Sequence, residues 1–296
     1  MNVLAPADLL PGRLPPGDTV VHGDNLAVLE RLPARAFDLV YADPPFNTGR
    51  TRSHAPIRVV ADDEGTRTGF GGRRYREIAD PPAPATSYPD AFEDYIGFLA
   101  PRLAEMHRVL ADHGTLYLHL DPRESHYVKV HLDGLFGREC FLNEIVWAYD
   151  FGGRARRRWP AKHDTILVYV KDPERYHFDS SAVDREPYMA PGLVGPEKAA
   201  RGKLPTDVWW HTIVATNGRE RTGYPTQKPE GVVRRIVTAS SRPGGWCLDP
   251  FAGSGTLGAV ARDLGRRFVL ADESAEAIAV IRQRLGGVGA INTLPA

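Results

Sequence analysis

Trp246-Cys-Leu-Asp-Pro-Phe-Ala-Gly-Ser-Gly-Thr-Leu-Gly258 is the stretch whose reading decides the fold. Trp246–Leu248 reads as a short strand that stops at Asp249 and Pro250. Gly253, Gly255 and Gly258 then lead into a helix ending near Leu264. A strand, a glycine turn and a helix in that order bring backbone close to a ligand at a helix start. The spacing of these glycines matches the dinucleotide fingerprint, with Asp272 at the end of the next strand, Phe268–Ala271, as the ribose-facing acid. A nicotinamide oxidoreductase is therefore one reading.

Asp249 speaks against that reading, because it points a negative charge into the region where phosphates must sit. It suits an ammonium group better. A ligand carrying an ammonium, a carboxylate and a ribose fits Asp249, the loop and Asp272 together, and S-adenosylmethionine is such a ligand.

A second signal lies near the front of the chain, where the apolar strand Phe37–Ala42 meets Asp43-Pro44-Pro45-Phe46. Two consecutive prolines end a strand, since proline offers no ladder donor and forces extended geometry on the residue before it. The resulting corner presents a carboxylate, the Pro44 carbonyl and the Phe46 ring within four residues. Together these suit a flat heterocycle with an exocyclic amine: two oxygens accept its N–H bonds while the ring stacks on it. An ordinary loop opening has the same composition.

Around these points strands and helices alternate, the pattern of a parallel sheet covered on both faces. Residues 1–18 form an irregular lead-in, and Thr19–His22 is a strand ending at Gly23-Asp24-Asn25. Asp24 either contacts a ligand there or caps the helix Leu26–Leu32. Residues 50–87 show little periodicity and carry seven arginines against three acids up to Arg76, which reads as a mobile or phosphate-facing loop. Asp90 and Glu93 form a capping box for a helix through Tyr95, Leu99, Leu103 and Met106, which Pro101 should kink or split. Thr115–Leu120 is a strand, followed by a helix through Val128, Leu132 and Leu135. Strands Glu144–Trp147 and Thr165–Val170 flank Phe151–Trp159, in which Arg154, Arg156, Arg157, Arg158 and Trp159 combine phosphate-pairing forks with a stacking surface. These residues are the nucleic-acid candidates, the alternative being an exposed basic turn. Residues 144–222 read as an insert, and 223–285 as the ligand-binding half that completes the catalytic half at 19–143. Within it Pro229 opens a helix with Val232, Val233, Ile236 and Val237 on one side, and Ala275–Leu285 is the last helix before a tail at 286–296.

The 296 residues carry 37 basic and 37 acidic side chains, so attraction to nucleic acid must come from local patches. Two cysteines, Cys140 and Cys247, with no ligand-spaced partners, predict neither a disulfide framework nor a metal site. No run approaches the ~20 apolar residues of a membrane span, which predicts a soluble cytoplasmic protein.

The chain resembles the bacterial DNA amino-methyltransferases, in particular the beta-ordered group in which the catalytic corner precedes the cofactor loop. His22-Gly-Asp-Asn25, Asp43-Pro-Pro-Phe46 with Asn47, Pro225-Thr-Gln-Lys-Pro229 and Leu248–Thr256 with the strand to Asp272 carry the resemblance. It implies a doubly wound, mostly parallel Rossmann-like sheet of permuted motif order, with a target-recognition insert. It also implies methyl transfer from S-adenosylmethionine to adenine N6 in double-stranded DNA, with cytosine N4 as the alternative. An RNA methyltransferase and a non-catalytic DNA-binding subunit are further alternatives. In such enzymes the corner, here Asp43, Pro44, Pro45 and Phe46, holds the target base. Asp249, Phe251, Ala252, Gly253, Ser254, Gly255 and Thr256 cradle the methionine part, with Thr226, Gln227 and Lys228 beside them. Asp272 then meets the ribose and Asp24 lies near the adenine. Two positions depart from the pattern: Phe46 stands where tyrosine is commoner, and Asp272-Glu273 stand where a single glutamate is usual. The resemblance leaves open a homodimer and a companion restriction enzyme, and implies a place on the nucleoid.

Overall fold

A computed structural model describes residues 3–49, 52–54, 59–62, 64, 66–68, 74–77, 86–88, 90–152, 155–215 and 217–286. Two compact units result, one made of residues 1–46 and 94–296 and the other of Asn47–Glu93.

In chain order the large unit opens with β1 (Val3–Leu4), β2 (Thr19–His22), α1 (Asn25–Arg31) and β3 (Phe37–Ala42). The small unit contributes β4 (Arg52–His54), β5 (Val59–Ala61), β6 (Arg67–Thr68), β7 (Arg74–Glu77) and β8 (Thr86–Tyr88). The large unit resumes with α2 (Tyr95–Val109), β9 (Leu110–Leu120), α3 (Pro122–Phe136), β10 (Phe141–Ala148), β11 (His163–Val170), α4 (Pro196–Arg201) and β12 (Val208–Trp210). It ends with α5 (Glu230–Ser240), β13 (Trp246–Asp249), α6 (Thr256–Asp263), β14 (Arg267–Asp272) and α7 (Ala275–Gly286).

Nine strands form the central sheet in the order β1-β2-β14-β13-β3-β9-β11-β10-β12. Neighbours pair in parallel from β1 through β9, β11 is antiparallel to both β9 and β10, and β12 is parallel to β10. Only β11 therefore runs against the rest. The expected doubly wound, mostly parallel sheet is what the chain forms.

Central strands are apolar on both faces, as burial on both faces requires; Leu39, Val40, Leu116, Leu118, Cys247, Leu248, Val269 and Leu270 are all inaccessible to solvent. One side is covered by α5, α6 and α7, whose Val232, Val233, Ile236, Val237, Leu257, Val260, Ile278, Ile281 and Leu285 join one cluster with the sheet. Helices α1, α2 and α3 contribute Val28, Leu29, Leu99, Leu103, Met106, Val128, Leu132 and Phe136 as a further buried set.

Several local expectations are corrected. The cap of α2 is Asp94, whose Oδ1 accepts from Gly97 N at 2.7 Å, while Asp90 accepts from the Thr48 hydroxyl instead. The capping box at Asp90 and Glu93 does not form, because the chain turns helical one residue after Glu93's neighbour. Helix α2 passes through Pro101 without being split. On α3 it is Phe136, not Leu135, that is buried with Val128 and Leu132. Residues 50–87, expected to lack regular structure, carry β4 paired with β8 and a three-stranded β5-β7-β6 ladder, all antiparallel. The region 144–222 shares its strands with the central sheet, since β10, β11 and β12 form one end of it.

Candidate active site

The corner and the glycine loop both leave the sheet at the C-terminal ends of adjacent parallel strands. Leu248 of β13 is in register with Val40 of β3, so Asp249 and the Asp43 corner emerge side by side. Crevices at the carboxyl ends of parallel strands are where open α/β sheets bind ligands.

At the corner, Asp43 Oδ2 accepts from Lys228 Nζ at 2.5 Å, and the ammonium lies 4.8 Å from the centroid of the Phe46 ring. Asp43 Oδ1 is buried and has no hydrogen-bond partner among the described residues. A buried carboxylate oxygen with no protein partner is costly unless a water or a ligand supplies a donor. The Pro45 carbonyl accepts from the Tyr95 hydroxyl at 2.7 Å, which pins the turn from outside.

Behind Phe46 stands a buried polar chain. The Tyr41 hydroxyl meets His119 Nδ1 at 3.0 Å, His119 Nε2 meets Asp164 Oδ2 at 3.0 Å, and the Tyr149 hydroxyl donates to Asp164 Oδ1 at 3.0 Å. Burial, followed by the charges of Asp43, Asp249 and Asp164, pushes the Tyr41 hydroxyl well above its usual range. Tyr41 thus keeps its proton and can donate to Nδ1. Burial on its own raises Asp164, but the hydrogen bond and charge of His119, with Lys228 and Tyr149, outweigh it and hold the carboxyl below the usual range. The His119 ring packs on Phe46 at 5.7 Å and edge-on to Trp147 at 5.5 Å, so Phe46 rests on an imidazole that is bonded at both nitrogens.

In the glycine loop Asp249 is 2% exposed. Burial drives its carboxyl far above the usual range; the Phe251 N–H opposes this and the Asp43 and Asp272 charges add to it. Asp272 is also raised, by burial first, although it accepts from Gly253 N at 2.8 Å and Ser274 N at 2.9 Å. A nearby cation would favour the charged form of both carboxyl groups, which burial holds above their ordinary range. The amides of Phe251, Ala252, Gly253 and Gly255 all donate within the loop and its strands, to Asp249, Ala271, Asp272 and Ala252 respectively. A pyrophosphate therefore meets carboxylates where the dinucleotide reading needs free amides. Gly255 holds the left-handed turn at φ 71, and a Cβ there would come 2.9 Å from Ile281.

A family model for DNA methylases of the N6/N4 kind matches residues 37–283. The chain belongs to the N6/N4 DNA methylase family. It is similar to the DNA adenine methyltransferase YhdJ of Escherichia coli K12, at 32% identity over 90% of this chain and 82% of that protein. It is likewise similar to the type II methyltransferase M.HpaI of Haemophilus parainfluenzae, at 30% identity over 90% and 73%. Among solved structures, the cytosine-N4-specific PvuII DNA methyltransferase shares the fold at a TM-score of 0.64 and 14% identity, covering 97% of this chain and 92% of that one. The M1.HpyAVI complex with SAM does so at a TM-score of 0.57 and 18% identity, covering 90% and 98%.

In this DNA methylase the remaining candidates are placed as follows. Asp24 caps α1 and is bridged at 2.9 Å by Arg102, which also donates to Asn25 at 2.6 Å and lies over the Phe98 ring. Asn25 in turn donates to the Pro250 carbonyl at 2.9 Å, tying this corner to the glycine loop. Thr226 is half-buried in the turn before Gln227. Gln227 is spent on its own loop, accepting from Thr222 and donating to the Glu220 carbonyl at 2.6 Å. Ser254 and Thr256 are buried, with Arg284 donating to the Thr256 hydroxyl at 3.0 Å and to Glu230 at 2.6 Å. Arg156, Arg157, Arg158 and Trp159 are exposed in the connection from β10 to β11, and Arg154 lies outside the described residues. Because β10 runs in the same direction as β3 and β9, that connection leaves the sheet at the same edge as Asp43 and Asp249.

Sequence reasoning missed the Tyr41–His119–Asp164–Tyr149 chain and the pairing of Lys228 with Asp43. A signal for the first lay in His119, set between Leu118 and Leu120, and in Asp164, just before the run Ile166–Val170. Among the described residues no group of His, Cys, Asp and Glu is placed to hold a metal ion, and no helix is long and apolar enough to cross a membrane.

Proposed function

We propose that this DNA methylase transfers a methyl group from S-adenosylmethionine to the N6 amine of an adenine flipped out of double-stranded DNA. The observation that carries the reading is Asp43 Oδ1, buried and unpartnered among the described residues, beside the Phe46 ring and next to the strand that ends in Asp249.

S-adenosylmethionine, when bound, supplies a methyl group on a positively charged sulfur. Asp249 and residues Phe251–Thr256 would hold its methionine part, Asp272 its ribose hydroxyls, with Asp24 and Thr226 at the margins. The donor set fits: an ammonium and a sulfonium offset the carboxyl groups that burial disfavours, and each Asp272 oxygen keeps a second lone pair for a hydroxyl.

Asp43 Oδ1 and the Pro44 carbonyl accept the two N–H bonds of the target amine. Its nitrogen is thereby drawn from planar toward tetrahedral with the lone pair out of the ring; it would take the methyl group as the methyl–sulfur bond breaks to leave a neutral thioether, and would shed one N–H proton to Asp43 Oδ1. Phe46 supplies the stacking face, held by His119. Placement of two reactants and preformed charge provide most of the acceleration. Extruding the base costs a few kcal/mol, offset by stacking and by backbone contacts. The exposed Arg156–Trp159 segment at the same sheet edge supports a role in gripping DNA, as part of the 144–222 recognition region. A type II relative supports a companion nuclease among the partners of this chain, and a homodimer belongs to the same reading.

Incubation of the purified protein with S-adenosylmethionine and unmodified duplex DNA, followed by nucleoside mass spectrometry and mapping of modified positions, tests this. N6-methyladenine at one short sequence is the expected result. N4-methylcytosine would move the reading to cytosine, and no methylated base would overturn it.

A further inference from the structure

The notable feature of Lys228 is that it holds both halves of the site at once. Its side chain, 10% exposed, donates to Asp43 Oδ2 at 2.5 Å and places its charge 4.8 Å from the Phe46 centroid. Its backbone carbonyl accepts from the Thr256 hydroxyl at 3.1 Å, at the first residue of α6 directly after the glycine loop. The carbonyl end is itself braced, since Arg284 grips Thr256 and Glu230 from the far side. On the other flank Gln227 is locked to Glu220 and Thr222, so the main chain at 228 has little freedom to follow the side chain.

We propose that Lys228 is a positioning residue for methyl transfer: it ties Asp43 Oδ2 to the start of α6, so that Oδ1 alone faces the amine at a fixed distance from the glycine loop. This rests on the methyl-transfer reading above. A carboxylate offers two equivalent oxygens and turns freely about its terminal bond; Lys228 removes that freedom by occupying one of them. The residue spans the corner that receives the base and the loop that receives the methyl donor, so it sets the separation of the two reactants without touching either. Displacement of about 1 Å between reacting groups costs on the order of 100-fold in rate.

The test measures kcat, KM for duplex DNA, and calorimetric S-adenosylmethionine affinity for wild type, Lys228→Met and Lys228→Cys. Expected for both variants is a kcat lowered about 100-fold at saturation, with both affinities within about threefold. Treating Lys228→Cys with 2-bromoethylamine rebuilds an ammonium of nearly the lysine length, and at least tenfold of the lost kcat should return. The mass added to Lys228→Cys and to wild type, read by mass spectrometry, separates alkylation at 228 from alkylation at the buried Cys140 and Cys247, and recovery is scored only on protein modified at 228. DNA with a mismatch opposite the target, which eases extrusion, should not rescue Lys228→Met.

A kcat within threefold of wild type, recovery on the mismatched duplex, or no recovery after aminoethylation would each overturn the proposal. So would a kcat that survives while cofactor affinity falls more than tenfold, which would return Lys228 to direct cofactor binding. Wild-type protein that methylates no DNA would instead sink the methyl-transfer reading, and with it this one.

Discussion

Asp43 and Asp249 stand at the C-terminal ends of neighbouring parallel strands, one with an oxygen left unpartnered among the described residues and the other with a carboxyl that burial holds far above its usual range. Each is an expense to the folded chain that a ligand group of the right charge removes. On the proposed reading the first would receive N–H donors and the second a cation.

For Asp43 the informative change is Asp43→Asn. It keeps the shape and one acceptor, whereas Asp43→Ala also strands the Lys228 ammonium, and an unpaired buried charge costs about 3 kcal/mol or more. Methyl transfer by Asp43→Asn should fall at least about 100-fold, the scale seen on deleting one preorganised hydrogen-bonding group. Cofactor affinity measured by calorimetry should stay within about threefold. A variant that binds cofactor and turns over at the wild-type rate would remove Asp43 from the chemistry.

Asp249 carries a pH signature. Its folded-state pKa lies above the unfolded one, so folding gives up stability as pH rises from the ordinary carboxylate range to the raised value, and the loss is complete above it. Asp249→Asn removes this penalty while its amide oxygen can still accept from Phe251 N. At pH 8 the ligand-free variant should therefore melt higher than wild type, with the difference vanishing near pH 3. Cofactor affinity should run the other way: lost in the variant, and weakening in wild type as pH falls and Asp249 protonates. A variant that melts lower at pH 8 would mean that burial is not the dominant influence on this carboxyl.

Gly255→Ala should fail structurally. The residue sits at φ 71, and its new methyl would meet Ile281 at 2.9 Å across the α6–α7 contact. Left-handed strain alone is about 1–2 kcal/mol, and overpacking adds a comparable amount. A melting temperature several degrees lower, with weakened cofactor binding, is expected by calorimetry. Unchanged melting would show that Ile281 can step aside.

Replacing Arg156, Arg157 and Arg158 together by Gln should weaken binding to any duplex alike. The plot of log affinity against log salt should lose a slope of about 2–3, at roughly 0.9 per phosphate contact. Methylation of a saturating duplex at low salt should continue. If the slope is unchanged, the basic stretch faces away from DNA.

Periodicity and proline or glycine punctuation located β2, β3, β11, β13, β14 and the closing helices to within a few residues, because these elements are apolar runs with sharp ends. The start of α2 was misplaced since Asp90, Glu93 and Asp94 offer the same local chemistry, and only tertiary contacts decide which of them caps. The short ladders in 52–88 escaped because strands of two to four residues lack a period to detect. The corner and the glycine loop were legible as motifs. The pairing of Lys228 with Asp43 was not, for 185 positions separate them and no local pattern encodes a partner that distant. His119 and Asp164 stood out as polar residues in buried strands, but their partnership was hidden because it needs the pairing of β9 with β11, 45 positions apart.

The sheet order β2-β14-β13-β3 carries a consequence for synthesis. β2 and β3, made first, are separated in the finished sheet by β14 and β13, made near the end, so the sheet cannot be completed until the last part of the chain is available. On the proposed reading, until β13 and β14 are made the polypeptide has the Asp43 corner without the glycine loop that would hold the methyl donor. A nascent chain stalled before residue 246 should modify no DNA however long it persists.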